Sequence, residues 1–300
     1  MTTTQPTRLQ TWILASRPKT LPAAVAPVAA ATALAFQQHT FRAGPALAAL
    51  LGALLLQIGA NLANDVFDFQ KGADTAERMG PMRVTQAGLL TPREVKTGMW
   101  VTFGLAALVG LYLVFEAGWV VVAIGLASIA AAILYTGGPY PLGYNGLGEI
   151  FVFLFFGLAA VCGTYYVQAR QVTLTALLVA VPVGLLIVAL LVVNNLRDVE
   201  TDRKTGKRTL PARFGANFAR LEYLACLGVA YLIVPGMILG GLLPAWALLS
   251  WGSLLLVPDL IRRIYRTSGK TLNVALAGTS RLGLVFSLLL GAGLVISALL

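Results

Sequence analysis

The chain has 300 residues, 58% of them hydrophobic and 11% charged, with a formal charge of +10 and a mean hydropathy of +0.80. Soluble domains carry about 25% charged residues, so this composition excludes a water-soluble globule and indicates an integral membrane protein. No soluble basic domain accompanies the positive charge, which excludes nucleic acid as a partner and points to membrane lipid heads and a phosphorylated substrate.

Taken in chain order, nine apolar stretches approach the roughly 20 residues needed to cross a bilayer. They are 21–36, 45–63, 99–115, 119–135, 150–167, 174–193, 221–239, 243–260 and 282–300. Pro235, Pro244 and Pro258 can end or kink helices in the later stretches. Pro6, Arg8, Arg17 and Pro18 interrupt any apolar core at the amino terminus, so no cleavable signal is read there. Residues 1–300 read as a single transmembrane domain whose first span acts as its own insertion signal. Cys162 and Cys226 fall inside spans, where they read as small buried residues.

With nine spans, 20 of the 22 Lys and Arg residues fall on one side, and only Arg42 and Arg170 lie opposite. Cytoplasmic loops hold the basic excess, so the amino terminus is expected in the cytoplasm and the carboxyl terminus outside the cell inner (plasma) membrane. Adding or dropping one helix scrambles this sorting.

Two acidic clusters follow the second and sixth stretches: Asn64, Asp65 and Asp68 running on to Asp74, then Asn195, Arg197 and Asp198 running on to Asp202. Carboxylates at the edge of hydrocarbon are costly without partners, and intramembrane acids are functional sites by default. A charge run is more often a solvated face, but Asn61, Asn64, Asn194 and Asn195 lie within the apolar stretches themselves. Residues three or four apart share a helical face, which groups Asn61, Asp65 and Asp68 on one stripe and Asn195, Asp198 and Asp202 on another. Mg²⁺ is usually held by one or two carboxylates plus substrate phosphate, so the two clusters suit two ends of one diphosphate clamp. Their matching positions suggest two four-helix pseudo-repeats plus a ninth helix.

Lys71, Arg83, Arg197, Lys207 and Arg208 lie close enough to the clusters to bind phosphate oxygens and stabilise departing negative charge. If the diphosphate leaves an allylic carbon, aromatic faces must shelter a carbocation. Tyr135, Tyr140 and Tyr144 are candidates, with Phe67 beside the first cluster. The lone His39 falls on an outer loop, far from the acids.

The runs NLANDVFDFQKGAD (61–74) and NNLRDVETD (194–202), with Gly206, Lys207 and Arg208 beyond, resemble those of the UbiA-type intramembrane aromatic prenyltransferases. The intervening segments 80–88 and 135–144 resemble the branch acting on 1,4-dihydroxy-2-naphthoate in menaquinone synthesis. This resemblance implies a nine-helix α fold with a central cavity near the cytoplasmic side. It implies that Asp65, Asp68, Asp198 and Asp202 serve as catalytic and metal-binding residues for Mg²⁺, assisted by Asn64 and Asn195. Lys207 and Arg208 match the family's diphosphate-contacting pair, and the implied substrate set is a polyprenyl diphosphate and the naphthoate. The implied reaction is an electrophilic substitution with loss of diphosphate and CO₂, leading to demethylmenaquinone.

Loop 80–88 is unlike the loop that follows the first cluster in the 4-hydroxybenzoate branch, and the resemblance therefore favours naphthoate over 4-hydroxybenzoate or homogentisate acceptors. A cation-coupled transporter fits poorly, because the acids sit at helix ends beside basic loops and not at mid-membrane. The Asp-Gly-Ala-Arg signature of phosphatidyl-type alcohol transferases is missing.

Overall fold

The computed structural model describes residues 6–73 and 78–300, and Asp74 lies outside the described residues. Among the described residues every regular element is helical. A short helix, α1 (Arg8–Ser16), opens with a capping box in which the Thr7 hydroxyl accepts from the Gln10 backbone N–H. It leads through a 54° bend into α2 (Pro22–Gln37). Then follow α3 (Ala43–Gln70), α4 (Pro92–Ala117) and α5 (Val120–Leu134). The next span joins α6 (Gly148–Val152), a π-helical segment (Phe153–Ala159) and α7 (Ala160–Ala169). The remainder comprises α8 (Leu174–Lys204), the short α9 (Leu210–Phe214), α10 (Ala216–Leu239), a 3₁₀ segment (Ala245–Leu256) running into α11 (Val257–Arg266), and α12 (Leu272–Leu299).

Each of the nine predicted stretches corresponds to a helix or helix pair, but not all are of spanning length. Among the described residues seven are long and apolar enough to cross a membrane, or eight if the bent pair α1–α2 counts as one span. The fourth stretch is the exception, because α5 has 15 residues. At 1.5 Å per residue it spans about 22 Å, less than the ~30 Å hydrocarbon core. Its limits are set by Gly118, whose φ of 85° breaks the chain out of α4, and by the turn at Gly137, Gly138 and Pro139. Pro235 sits inside an unbroken α10, whereas Pro244 precedes the 3₁₀ segment and Pro258 occupies the first turn of α11, where its missing N–H costs nothing.

Small residues set how the helices approach. The Ala-rich α2 packs against α12 and α7, while α3 runs along α4 and α8 along α10. A Cβ on Gly184 of α8 would lie 2.8 Å from the Cα of Gly157 in the π segment, so these two backbones cross at a distance only glycine permits. Both α3 and α8 continue past residues 63 and 193, where their apolar runs end, and carry the acidic clusters on regular helix.

Candidate active site

A cavity of about 630 Å³ runs between α3, α4, α5, the α6–α7 span and α8. Ala49, Gly52, Leu56, Ala60, Asn64 and Asp68 line it from α3, a spacing of three and four that lays one helical face along its length. The end bounded by Leu113, Val121 and Val167 is apolar. At the other end converge Asn61, Asn64, Asp68, Asn194, Asn195, Asp198 and Asp202, with the cationic side chains of Arg17, Arg78, Arg83 and Lys207.

Asp68 is the centre of the first cluster. Its carboxylate, 2% exposed, accepts from Arg83 Nη2 at 2.8 Å, from the Tyr144 hydroxyl at 2.6 Å and from Lys207 Nζ at 3.4 Å. Residues from α3, the loop after it, the loop before α6 and the loop after α8 therefore meet on one carboxylate. Asn64 accepts from the Thr136 hydroxyl at 3.0 Å, and Asn61 donates to the Ser16 carbonyl and the Thr20 hydroxyl, tying the α1–α2 bend to the cavity wall.

Asp65 departs from the expected stripe. Its two oxygens accept the backbone N–H groups of Val84 and Thr85 at 3.1 and 3.2 Å, and it takes no part in lining the cavity. At 100° per residue Asp65 points roughly 60° away from the mean direction of Asn61, Asn64 and Asp68. That offset turns it from the cavity towards segment 80–88, so the metal-ligand role read for it does not match where its carboxylate lies.

The second cluster divides in the same way. Asn195, Asp198 and Asp202 line the cavity, whereas Arg197 is buried behind it. Arg197 donates to both oxygens of Asp198 at 2.8 and 2.5 Å, to Asn194 Oδ1 at 2.9 Å and to Asn273 Oδ1 at 2.9 Å. It stands as a brace for Asp198, not as the expected substrate contact. Asp202 accepts from the Thr209 hydroxyl at 3.2 Å, and Asn195 donates its Nδ2 hydrogen to Glu149 Oε1 at 2.8 Å.

The basic and aromatic candidates also separate. Lys207 lies in the cavity wall with its ammonium 4.4 Å from the Tyr144 ring centroid, but its neighbour Arg208 is exposed and does not line this cavity. Arg208 contributes its backbone N–H, which donates to the Tyr144 carbonyl at 2.7 Å. Lys71 is not among the lining residues; it donates to the Gly138 carbonyl at 2.9 Å and lies 5.3 Å from the Tyr144 ring, and desolvation lowers its pKa from the ordinary lysine value, against the pull of Asp68. The Tyr144 face is thus shared with ammonium groups. Tyr135 lines the cavity, while Tyr140 is 61% exposed and Phe67 packs on Gly137. Arg17, Arg78 and Glu149 were absent from the sequence-based set, although an acid at the start of an apolar span, as Glu149 is, was a visible signal.

The donor set suits a hard divalent cation. Oxygen donors alone, from Asp68, Asp198, Asp202, Asn64 and Asn195, converge on the polar end. Among the described residues no three His, Cys, Asp or Glu side chains group as a metal cage. That arrangement fits Mg²⁺, which takes one or two carboxylates and completes its shell with water and substrate phosphate.

A helical membrane protein with a long apolar cavity ending in carboxylates, carboxamides and cations is built to hold an amphiphile with an anionic head. The chain belongs to the UbiA prenyltransferase family, whose model matches residues 24–277. It is 43% identical over 271 residues to 1,4-dihydroxy-2-naphthoate octaprenyltransferase of Escherichia coli, covering 88% of this chain and 86% of that protein. With the protein of the same name from Mycobacterium tuberculosis it shares 46% identity over 220 residues, 73% of this chain and 75% of the relative. A solved UbiA homolog from Archaeoglobus fulgidus bound to GPP and Mg²⁺ superposes with a TM-score of 0.70 at 15% identity, over 95% of this chain and 99% of that one, which establishes the shared fold.

Proposed function

We propose that this protein transfers a polyprenyl group from its allylic diphosphate to 1,4-dihydroxy-2-naphthoate. The observation that carries the reading is the junction of the two Asp clusters, with their cations, at one end of a long apolar cavity. The relatives named for that reaction, at 43% and 46% identity, support the acceptor and an octaprenyl donor. In this reading residues 1–300 form a single domain. The charge sorting supports nine passes, with α5 a short one, a cytoplasmic amino terminus and a cavity whose polar end opens to the cytoplasm. The pairing of α3 with α4 and of α8 with α10 supports two four-helix halves.

In this reading Asp68, Asp198 and Asp202 supply the one or two carboxylates that Mg²⁺ takes beside substrate phosphate, with Asn64 and Asn195 as carbonyl donors. When bound, the ion neutralises charge on the departing diphosphate. Arg83 and Lys207 bind diphosphate oxygens, with Arg17 and Arg78 beside them in the wall. The apolar faces of α3, α4 and α5 receive the prenyl tail and exclude water from the allylic cation, and Tyr135 offers it a π face. The allylic C–O bond breaks and a bond forms to the ring carbon that bears the carboxyl group. That carbon then loses CO₂ and the carboxyl proton is released, leaving the prenylated naphthalenediol, the reduced form of demethylmenaquinone.

The test is turnover by the purified protein in lipid nanodiscs, offered the naphthoate, 4-hydroxybenzoate and homogentisate with prenyl diphosphates of several lengths and read by product mass. Naphthoate turnover that stops in excess chelator is expected. Turnover restricted to another acceptor overturns the acceptor assignment, and turnover undiminished in chelator overturns the metal.

A further inference from the structure

Glu149 opens the α6–α7 span, next to Gly148, whose missing side chain makes room for the Tyr135 hydroxyl and for Leu191. It is 7% exposed and stands outside the cavity wall. One of its oxygens accepts the Asn195 Nδ2 hydrogen at 2.8 Å, and the other has no hydrogen-bond partner among the described residues. A carboxylate accepts only, so this bond fixes which end of the Asn195 carboxamide faces Glu149. The amide nitrogen is engaged by Glu149, outside the cavity wall, and Asn195 Oδ1, which has no hydrogen bond among the described residues, is the end left for the cavity that Asn195 lines.

We propose that Glu149 is a positioning residue: it locks the Asn195 carboxamide so that its carbonyl oxygen, not its NH₂ group, is presented to the metal–diphosphate headgroup. A flipped amide would turn two donor hydrogens towards a cation and lose a hard oxygen ligand. The inference rests on the proposed role of Asn195 in the clamp. It explains why a carboxylate is kept in an apolar span with one oxygen unpaired, a costly arrangement for a purely structural contact.

The test uses the full chain in nanodiscs, with Mn²⁺ binding followed by electron paramagnetic resonance in the presence of geranyl thiolodiphosphate, an analogue that does not ionise. Glu149→Met, similar in length but without an acceptor, should weaken Mn²⁺ binding about 10- to 100-fold, as loss of an orienting partner of a metal ligand does. Raising Mg²⁺ should restore its turnover. Glu149→Gln, whose carbonyl accepts the same bond, should stay nearer to the unsubstituted protein than to Glu149→Met.

A second arm stands independently of how Glu149→Met folds. Asn195→Asp sets two carboxylates against each other and should lose binding, and adding Glu149→Gln, which supplies a donor, should recover it. If Asn195→Ala weakens binding while Glu149→Met does not, or if the paired substitution fails to recover it, the positioning role is overturned and the clamp stands. If Asn195→Ala binds Mn²⁺ like the unsubstituted protein, the role of Asn195 in the clamp fails and this inference fails with it.

Discussion

The carboxylate of Asp65 accepts the backbone N–H of Val84 at 3.1 Å, across a sequence separation of 19 residues, and that of Thr85 at 3.2 Å. The α3 helix thereby holds the segment that presents Arg83 to Asp68. Asp65→Ala orphans two buried N–H groups, each worth about 1–3 kcal/mol. The expected outcome is a lower melting temperature, earlier proteolytic cleavage within 78–90 and a loss of turnover that added Mg²⁺ does not restore. A variant that melts normally but demands more Mg²⁺ would instead make Asp65 a metal ligand.

The hydroxyl of Tyr144 can be separated from its ring. Tyr144→Phe deletes the 2.6 Å bond to Asp68 and keeps the aromatic face beside Lys207. A hydrogen bond to a charged group contributes about 1.5–3 kcal/mol, so kcat/KM should fall roughly 10- to 100-fold with the fold intact. Unchanged kinetics would show that Arg83 and Lys207 suffice to hold Asp68.

Much of this site was legible in the sequence, and the limits have a physical origin. Apolar length located the helices, and acids at the ends of two of them marked Asp68, Asp198 and Asp202, which line the cavity. Spacing of three and four residues places side chains on a common side but does not say which edge of that side faces the cavity. Asp65 is therefore grouped with residues from which the structure separates it, whereas Arg197, read as a phosphate contact from its nearness to the cluster, turns its guanidinium onto Asp198 and Asn194. Glu149 went unread because the fifth apolar stretch begins at residue 150, directly after it. The stretch 119–135 overruns α5 by one residue at each end, because the apolar Trp119 and Tyr135 continue into turns set by Gly118 and by Gly137 and Gly138.

Gly80 and Arg197 form a tight contact with a clear consequence. A Cβ added to Gly80 would come within 2.7 Å of Arg197 Nη2, and that guanidinium cannot swing aside because it is tied to Asp198, Asn194 and Asn273. Overpacking of this kind costs about 1–3 kcal/mol. Gly80→Ala should therefore lower the melting temperature and, by displacing Asp198, lower kcat/KM as well. Arg197→Lys retains charge but loses the two-pronged bond to Asp198, and should reduce activity even where Gly80 is intact. If Gly80→Ala matches the unsubstituted protein in both measurements, the Arg197 brace is not coupled to the site.

The apolar end of the cavity makes a claim about tail length. Gly52 and Asp68 both line it from α3, and 16 residues of helix at 1.5 Å each separate them by about 24 Å. A side chain at position 52 has room, since the nearest neighbour of an added Cβ is a Val109 methyl at 3.8 Å. Gly52→Phe should therefore project its ring into the far end of the cavity while leaving the headgroup site untouched. Geranyl diphosphate, whose tail ends well short of position 52, should be used as before, whereas octaprenyl diphosphate should lose kcat/KM by tenfold or more, about 1.4 kcal/mol or greater. Competition between the two donors, resolved by product mass, measures the ratio directly. An equal loss with both donors would mean that the tail does not run along this face of α3.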